Sequence, residues 1–360
     1  MSNIIHHDFQ IPCQTPRERD KNLLQCFAVE RRGADDVFWL KENAELLNVL
    51  ESTGMRPDPE ALSAYDGFYT EIEKRLEFFP QYYRFLLSIC LDLEDLGYDG
   101  NKGAALVEWV ARQGVAQAEM SDLQRMEARR LMMRRGVDPL ADDVGLEGRV
   151  RGFIQRSQTF AMPNKKAAYE LTHAVFYLSE YGRKDPKLNS DARTSLEFAG
   201  LLAFLEQNAD LLAEVCIALS YAGFETPKTW QDWLERHTQR FGIEELTGTN
   251  CHDHYHEFLM CNWMTTQHNS GGFEQPIASG GLLFRSPNGG AAGPLKELSE
   301  CIFRMDIERS SNWGVMRPIV LEQLSDSAQV VLTHAEDSCA AFDAFFKGFA
   351  RREFNHKMIV

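Results

Sequence analysis

The segment TNCHDHYHEFLMCNW, residues 249–263, concentrates side chains that can bind a metal ion: three histidines, two cysteines, one aspartate and one glutamate. In a helix, His252 and His256 are four residues apart and share a face. Asp253 lies three residues before His256, so its carboxylate is expected to hold the imidazole ring of His256 in place. If the helix register shifts by one residue, Asp253 and Glu257 take the places of the two histidines.

Five earlier segments repeat polar residues at matching positions. Each is an apolar helical segment that ends in a glycine, at Gly54, Gly97, Gly136, Gly182 and Gly223. Nine residues before these glycines stand Glu45, Ser88, Glu127, His173 and Glu214, and thirteen residues before them stand Lys41, Arg84, Leu123, Tyr169 and Asp210. Charged side chains at repeated core positions are costly unless they are paired or bind a metal. We therefore expect Glu127, His173, Glu214 and His256 to face one internal cavity.

The most specific interpretation of this set is a metal site with two histidines and one carboxylate. The predicted metal ligands are His173, Glu214 and His256, with His252 beside them. Such a donor set suits catalytic zinc or iron(II), which keeps open positions for water or substrate. The predicted catalytic carboxylates are Glu127 and Glu214, and Asp253, Asp210 and Tyr169 are predicted to support the ligands from behind.

Other interpretations of the same residues remain open. Glu127 and Glu214 are also a possible acid and base pair of a metal-free enzyme that processes sugars. Taken singly, His173 or His256 is more often a hydrogen-bonded core histidine than a ligand. A third possibility is a helical-repeat binding protein without chemistry, which would spread its polar residues along a concave face instead of at one height.

The elements that position these residues are helical hairpins. The five terminal glycines recur at nearly even intervals along the chain, and a second, less apolar helical segment lies in each interval. A period of about 40 residues with two helices is typical of stacked helical hairpins. We predict an all-α fold in which the hairpins form a closed or nearly closed (α/α)6-like toroid, with the histidine segment in the sixth hairpin.

The domain organisation follows from the same pattern. Residues 1–30 are predicted to be an N-terminal extension, and residues 31–352 a single domain of α/α hairpins. The domain contains a glycine-rich loop at residues 269–294, directly after the histidine segment. Loops of this length inside compact domains are usually functional or disordered, so the loop is either a lid over the cavity or a flexible connector.

Composition excludes several classes of partner. The chain has 360 residues and a formal net charge of -15, which argues against binding to nucleic acid or to an anionic membrane surface. Its eight cysteines include no C-x-x-C pair, and the N-terminus lacks the features of a signal peptide. We expect reduced thiols, a cytoplasmic location and a small-molecule or peptide substrate, and the sequence gives no indication of the oligomeric state.

The stretches YELTHAVFYLSEYG, NADLLAEVCIAL and HDHYHEFLMCNW together resemble an uncharacterised family of bacterial all-helical proteins. Members share a T-H-x-x-F-Y-L-x-x-Y-G stretch, a D-L-L-x-E stretch and a Y-H stretch, and the resemblance covers roughly residues 120–265. No reaction is established for that family. The residues themselves favour a metal-dependent enzyme, hydrolytic or oxidative, that acts on a small molecule or a modified peptide.

Overall fold

The computed structural model describes residues 14–248, 251–268, 271–287 and 293–351. Residues 1–13 of the predicted extension, residues 249–250 at the start of the histidine segment, residues 269–270 and 288–292 of the predicted loop, and residue 352 at the predicted domain end lie outside the described residues.

The described chain is mostly helical, as the sequence predicts. In chain order the first nine helices are α1 (Pro16–Gln25), α2 (Val37–Ser52), α3 (Pro59–Leu62), α4 (Asp66–Phe78), α5 (Tyr83–Leu96), α6 (Gly103–Arg112), α7 (Asp122–Met133), α8 (Leu146–Ile154) and α9 (Ser157–Phe160). The others are α10 (Lys165–Leu178), α11 (Ser190–Glu206), α12 (Ala209–Tyr221), α13 (Lys228–Gln239), α14 (Tyr255–Gln267), α15 (Leu295–Arg304), α16 (Trp313–Gln323), α17 (Asp326–Ser338) and α18 (Phe342–Ala350). A π-helical turn at Cys26–Glu30 follows α1, and 3-10 turns occur at Ser63–Tyr65, Pro80–Tyr82 and Asp306–Glu308.

Two short strands are also present. β1 (Gly242–Glu245) pairs antiparallel with β2 (Leu282–Arg285), and Ile243 lies opposite Phe284. The sequence motif GGLLFRSP contains β2, whereas β1 is too short and too polar to stand out as a strand.

Six helices pack against one another in succession. α2 packs on α5, α5 on α7, α7 on α10, α10 on α12 and α12 on α14, and α14 also packs against α2. Five of them are the glycine-terminated segments, and all five terminal glycines have positive φ, from 70° at Gly223 to 104° at Gly97. A glycine adopts this left-handed conformation without a Cβ clash, so each helix can end sharply and the chain can reverse.

The remaining helices cover this inner set. α4 and α6 pack on α5, α8 on α7, α11 on α12 and α13 on α14. The C-terminal helices α15, α17 and α18 pack against α11, so they add a further layer on that side. Among the described helices, none is both long and apolar enough to cross a membrane. The seven cysteines within the described ranges are free and buried.

Candidate functional site

A cavity of about 500 Å³, called the central cavity below, is lined by residues from all six inner helices. This volume is in the range of small-molecule sites in proteins. Its lining includes a mixed set of ionisable side chains: Lys41, Glu45, Arg84, Glu127, Lys166, Glu170, His173, Glu214 and His256. Glu127, His173, Glu214 and His256, which the sequence predicts to face one cavity, all line it.

Glu214, on α12, is the most deeply buried of these groups, with 0% of its surface exposed. Its Oε2 accepts a hydrogen bond from the Thr172 hydroxyl and lies 3.7 Å from Nε2 of His173. Its Oε1 lies 4.0 Å from Nε2 of His256 and has no hydrogen-bond partner in the described ranges. Burial, together with the nearby negative charge of Asp210, raises the pKa of Glu214 from 4.5 to about 8.

His256 lies in the first turn of α14, and its two ring nitrogens have different surroundings. Nδ1 donates a hydrogen bond of 2.7 Å to Oδ1 of Asp210, whose Oδ2 accepts a 2.7 Å bond from the Tyr169 hydroxyl. Nε2 is directed towards Glu45 Oε1 at 3.9 Å and towards Glu214. Burial alone would lower the pKa of His256, but the carboxylates of Asp210 and Glu45 outweigh it and raise the pKa to about 10.

Tyr169, Asp210 and His256 thus form a hydrogen-bonded chain, and the support of metal ligands by Asp210 and Tyr169 stays a prediction. Burial opposes ionisation of Asp210, but the charge and hydrogen bond of His256 lower the pKa of this carboxyl below its usual value. The Asp210 carboxylate thus fixes both the orientation and the charge of the His256 ring.

His173, on α10, is open to the central cavity, with 39% of its side chain exposed there, although protein surrounds the cavity. This enclosure lowers the pKa of His173, against the raising effect of Glu127 and Glu45. Its imidazole is therefore mainly neutral at pH 7. The two histidines of the central cavity thus differ in charge, because Asp210 hydrogen-bonds only one of them.

Glu127, on α7, faces the central cavity with its carboxylate bound to Arg84. The Arg84 guanidinium also contacts Glu119 at 3.1 Å. Glu127 is thus paired with a cation, whereas the Oε1 of Glu214 is not paired among the described groups. This difference makes Glu214 the better candidate of the two predicted carboxylates for direct chemistry.

Two of the predicted supporting and ligating residues are placed elsewhere. Because α14 begins at Tyr255, His252 precedes the helix, is exposed and does not share a face with His256. The Asp253 carboxylate binds Arg31 at 2.9 Å and the Phe284 backbone N–H at 2.8 Å, so Asp210 supports His256 in its place. The prediction from the sequence extended the helix too far towards its N-terminus. The wrong placements of His252 beside His256 and of Asp253 behind it both follow from this.

The alternative register fails for a related reason. Glu257 lies 2.6 Å from Nε2 of His237 and accepts a hydrogen bond from the Ser286 hydroxyl. His256, not Glu257, lines the central cavity.

Several residues of the site are not predicted from the sequence in these roles. Glu45 stands in the repeated layer without an assigned role, and its Oε2 accepts a 2.7 Å hydrogen bond from the Tyr255 hydroxyl. Thr172, one residue before His173, binds Glu214 from the neighbouring helix. Asn48 and Trp263 line the cavity one or two turns beyond Glu45 and His256 on α2 and α14. Asn48 and Trp263 lie three and seven residues from members of the predicted layer, and this helical spacing is the signal that could have found them.

The predicted metal centre is not formed as a coordination shell. Within the described residues, no group of three His, Cys, Asp or Glu side chains is arranged to hold a metal ion. The nitrogen–oxygen separations of 3.7–4.0 Å around Glu214 exceed the roughly 3.3 Å between neighbouring ligands that zinc–ligand bonds near 2 Å imply.

The described part of the glycine-rich loop does not line the central cavity. It contains β2, and the Phe273 backbone N–H donates a 2.7 Å hydrogen bond to Asn262 on α14. Residues 271–287 are thus anchored to the outer side of α14 and to β1.

A family model described as "Domain of unknown function (DUF6902)" matches residues 1–352. The chain belongs to the DUF6902 family. The match agrees with the resemblance to an uncharacterised family, and it extends over far more of the chain than the stretches that suggested it. Comparison with curated proteins and with solved structures finds no match.

Proposed function

We propose that this DUF6902 protein is an enzyme that transfers protons to and from a small polar molecule in the central cavity. The six inner helices form a closed α/α toroid around that cavity in this proposal, supported by their successive packing and by the contact of α14 with α2. The observation that carries the proposal is the position of Glu214, fully buried between two histidine nitrogens with one oxygen unpaired in the described structure.

Glu214 is the proton donor. With its pKa raised to about 8, its carboxyl is largely protonated at pH 7 and still loses its proton readily. General acids work best when their pKa lies close to the working pH. A buried carboxyl that is not paired with Lys or Arg is suited to this role, whereas the Glu127 carboxylate is paired with Arg84.

His173 is the base. Its lowered pKa keeps the ring neutral, and its Nε2 lies 3.7 Å from Glu214, beyond hydrogen-bond distance. Acid and base are therefore available to a substrate instead of being tied to each other. Pairs of titratable groups whose environments separate their pKa values are typical of acid–base sites.

His256 supplies a fixed positive charge. Asp210 and Glu45 hold its ring in the protonated form, and its Nε2 faces the cavity beside Glu214. A preorganised cation next to the reacting group stabilises negative charge that develops on the substrate in the transition state. Proton removal next to a carbonyl group is the reaction type that uses a neutral base, a nearby acid and such a cation together.

Proton transfer is tested in D2O. The protein is incubated with a panel of small carbonyl compounds, and deuterium uptake into carbon-bound positions is followed by mass spectrometry. Uptake is expected in at least one compound class and is expected to disappear in His173→Gln and Glu214→Gln. Asp232→Asn, which removes an ion pair with Lys228 on α13, is the matched control and should retain it. Ionisation of the Glu214 carboxyl at its ordinary value near 4.5, seen by 13C NMR, would contradict its role as the acid.

A metal-dependent form of the reaction is the second candidate, and the hydrogen bond between Asp210 and His256 favours it. Metal-bound histidines usually donate their second ring nitrogen to a carboxylate in this manner. Zinc or iron(II) would be held by Nε2 of His173 and His256 and by Glu214, after the side chains move closer together. Elemental analysis of untagged protein, before and after chelator, tests this form: one zinc or iron per chain, lost in His256→Ala, is the supporting result.

A further inference from the structure

Two buried asparagines on α2 have opposite hydrogen-bond states. The Asn43 amide nitrogen donates to the backbone oxygens of Phe27 and Trp39 at 3.0 and 2.9 Å, and its oxygen accepts a 2.7 Å bond from the Tyr65 hydroxyl. Asn48 is only 9% exposed, yet its amide nitrogen has no hydrogen-bond partner in the described parts of the chain. An unpaired buried amide destabilises a protein, because the group loses its hydrogen bonds to water and gains none in return.

Asn48 lines the central cavity, three residues after Glu45 on the same helix. Because it lies one helical turn beyond Glu45, its amide can meet a molecule that reaches the carboxyl groups of Glu45 and Glu214. A primary amide offers one donor and one acceptor side by side. It is complementary to another amide or lactam edge, which presents the same two groups in reverse order.

Part of the wall of the central cavity is aromatic. Phe176, Tyr177, Tyr181 and Trp263 line the central cavity together with Asn48. The rings of Tyr181 and Trp263 are stacked, with centroids 5.8 Å apart and planes 13° from parallel, and Phe176 packs 5.3 Å from Trp263. Tyr181 has a left-handed backbone with φ of 55°, a conformation that costs free energy in non-glycine residues and here places its ring in the wall. Flat aromatic walls of this kind favour planar ligands.

The charged lining residues disfavour a simple anion. Lys41, Arg84 and Lys166 each lie within 4.0 Å of a carboxylate, from Glu45, Glu127 and Glu170 respectively. The His256 ring is likewise hydrogen-bonded to Asp210, and the carboxyl groups of Glu45 and Glu214 lie within 4.0 Å of its other nitrogen. A ligand carboxylate would therefore meet cations that already have carboxylate partners. An uncharged amide avoids this repulsion and still satisfies Asn48.

We propose that the central cavity binds a planar, uncharged amide or lactam ring, with the amide edge on Asn48 and the ring against Phe176, Tyr181 and Trp263. This inference rests on the proposed function, because it names the class of substrate that would be presented to Glu214 and His173. The ring must be small, since the cavity volume is about 500 Å³.

The test uses benzamide as the probe and measures its dissociation constant by ligand-observed NMR titration of the full chain. Benzamide is expected to bind at millimolar concentration or below, and more tightly than cyclohexanecarboxamide, which is not planar, and benzoate, which is charged. Asn48→Leu should weaken benzamide binding about tenfold or more, which is the loss of one good hydrogen bond. Asn101→Leu, at an exposed asparagine outside the lining, is the matched control and should bind as wild type does.

Asn48→Ala is a second variant in case the leucine side chain does not fit, and both variants are checked by their melting temperatures. The proposal is overturned if benzamide does not bind, if benzoate binds more tightly, or if folded Asn48 variants bind benzamide like wild type. Failure of the proposed function is a separate result, because it is read from the titration of Glu214 and from deuterium uptake, neither of which uses benzamide.

Discussion

Two buried clusters of charged residues lie close together along α2 and the chain leading into α14, and they differ in how completely their groups are paired. In the first, the Arg31 cluster, the guanidinium binds Glu42 at 3.0 Å and Asp253 at 2.9 Å. The Arg31 guanidinium also donates to the backbone oxygen of Leu282, and Arg32 binds Glu42 at 2.6 Å. In the second, the Glu214 cluster, carboxyl and imidazole groups approach only to 3.7–4.0 Å around Glu214.

The two clusters also differ in what surrounds them. The side chains of Arg31, Glu42 and Asp253 are at most 1% exposed, and Phe27, Tyr255 and Phe284 pack around the guanidinium. The Glu214 cluster opens into the central cavity. A saturated cluster holds the N-terminal turn, α2 and β2 in place, whereas an unsaturated cluster next to a cavity leaves groups for a ligand. Burial of charge alone is therefore no ground for proposing a functional site, and the unpaired groups beside the central cavity are the ground for our proposal.

Arg31→Met should have the largest effect on stability, because it leaves the carboxylates of Glu42 and Asp253 buried without their main cation. Breaking a buried ion pair from one side typically destabilises a protein by about 3–5 kcal/mol. Urea denaturation at pH 7 measures this loss. Arg151→Met, which removes a partly exposed pair with Glu147, should cost less than about 1 kcal/mol. Equal losses in the two variants would show that the Arg31 cluster is not a stabilising element.

Glu214→Gln should make the stability of the protein less dependent on pH. The folded state raises the pKa of Glu214 from 4.5 to about 8, so between these values the folded chain binds a proton that the unfolded chain releases. The stabilisation from this proton is complete below pH 4.5 and is lost as the pH rises towards 8. The free energy of unfolding of wild type, relative to the variant, should fall by up to about 1.4 kcal/mol per pH unit in this window.

The measurement is a series of urea denaturation curves between pH 5 and pH 8, a range inside which Glu214 changes from mostly protonated to half ionised. The pH 5 curves are an internal control, because a protonated carboxyl and the glutamine amide are both neutral there. A constant difference between the two proteins across the series would mean that Glu214 titrates alike in the folded and unfolded chains.

The helical architecture was predictable because it depends on local signals. Glycines at the ends of apolar segments mark helix ends. Their recurrence about every 40 residues indicates helical hairpins, and this signal does not depend on the tertiary contacts of the helices. The position of a residue relative to its terminal glycine then fixes its height on the helix. For this reason His173 and Glu214 were correctly expected at one cavity without any knowledge of how the helices pack.

The errors lie where tertiary contacts override the local pattern. Asp253 looks like a helical neighbour of His256 in the sequence, but it binds Arg31, 222 residues away along the chain, and α14 begins only at Tyr255. The pairing of Asp210 with His256 joins α12 to α14 in the same manner. Which carboxylate reaches which histidine depends on the rotation of each helix about its axis, and a periodic pattern leaves that rotation undetermined.

Asp210→Asn should lower the pKa of His256 and so weaken the hold of the protein on its ring proton. Loss of the carboxylate removes the largest favourable influence on the protonated imidazole, whose pKa is about 10 in wild type. We expect the pKa of His256 to fall by at least about one unit, as it does when a nearby opposite charge is lost. NMR titration of 15N-labelled histidine measures this change.

Tyr169→Phe provides the graded control for that titration. It removes the 2.7 Å hydrogen bond to Oδ2 of Asp210 and keeps the carboxylate beside His256. Its effect on the pKa of His256 should have the same direction and be clearly smaller. If Asp210→Asn leaves the His256 titration unchanged, Glu45 alone maintains the charge, and the comparison of the two histidines loses its explanation.

Asn43→Leu and Asn48→Leu compare a paired and an unpaired group of the same residue type on the same helix. The changes in the free energy of unfolding should be the smallest of this series. Leucine at position 43 leaves the Tyr65 hydroxyl and two backbone oxygens without their partner, so a loss of about 1–3 kcal/mol is expected. Leucine at position 48 removes a buried amide whose nitrogen is unpaired within the described chain, and it adds apolar surface to a cavity that Phe176 and Trp263 also line. The free energy of unfolding should therefore stay within about 0.5 kcal/mol of wild type or increase, because a functional residue held without a partner lowers stability.

Melting curves of the two variants in the same buffer measure the difference in stability between them. A loss at position 48 as large as that at position 43 would mean that the Asn48 amide is structurally paired and is not a binding group of the cavity.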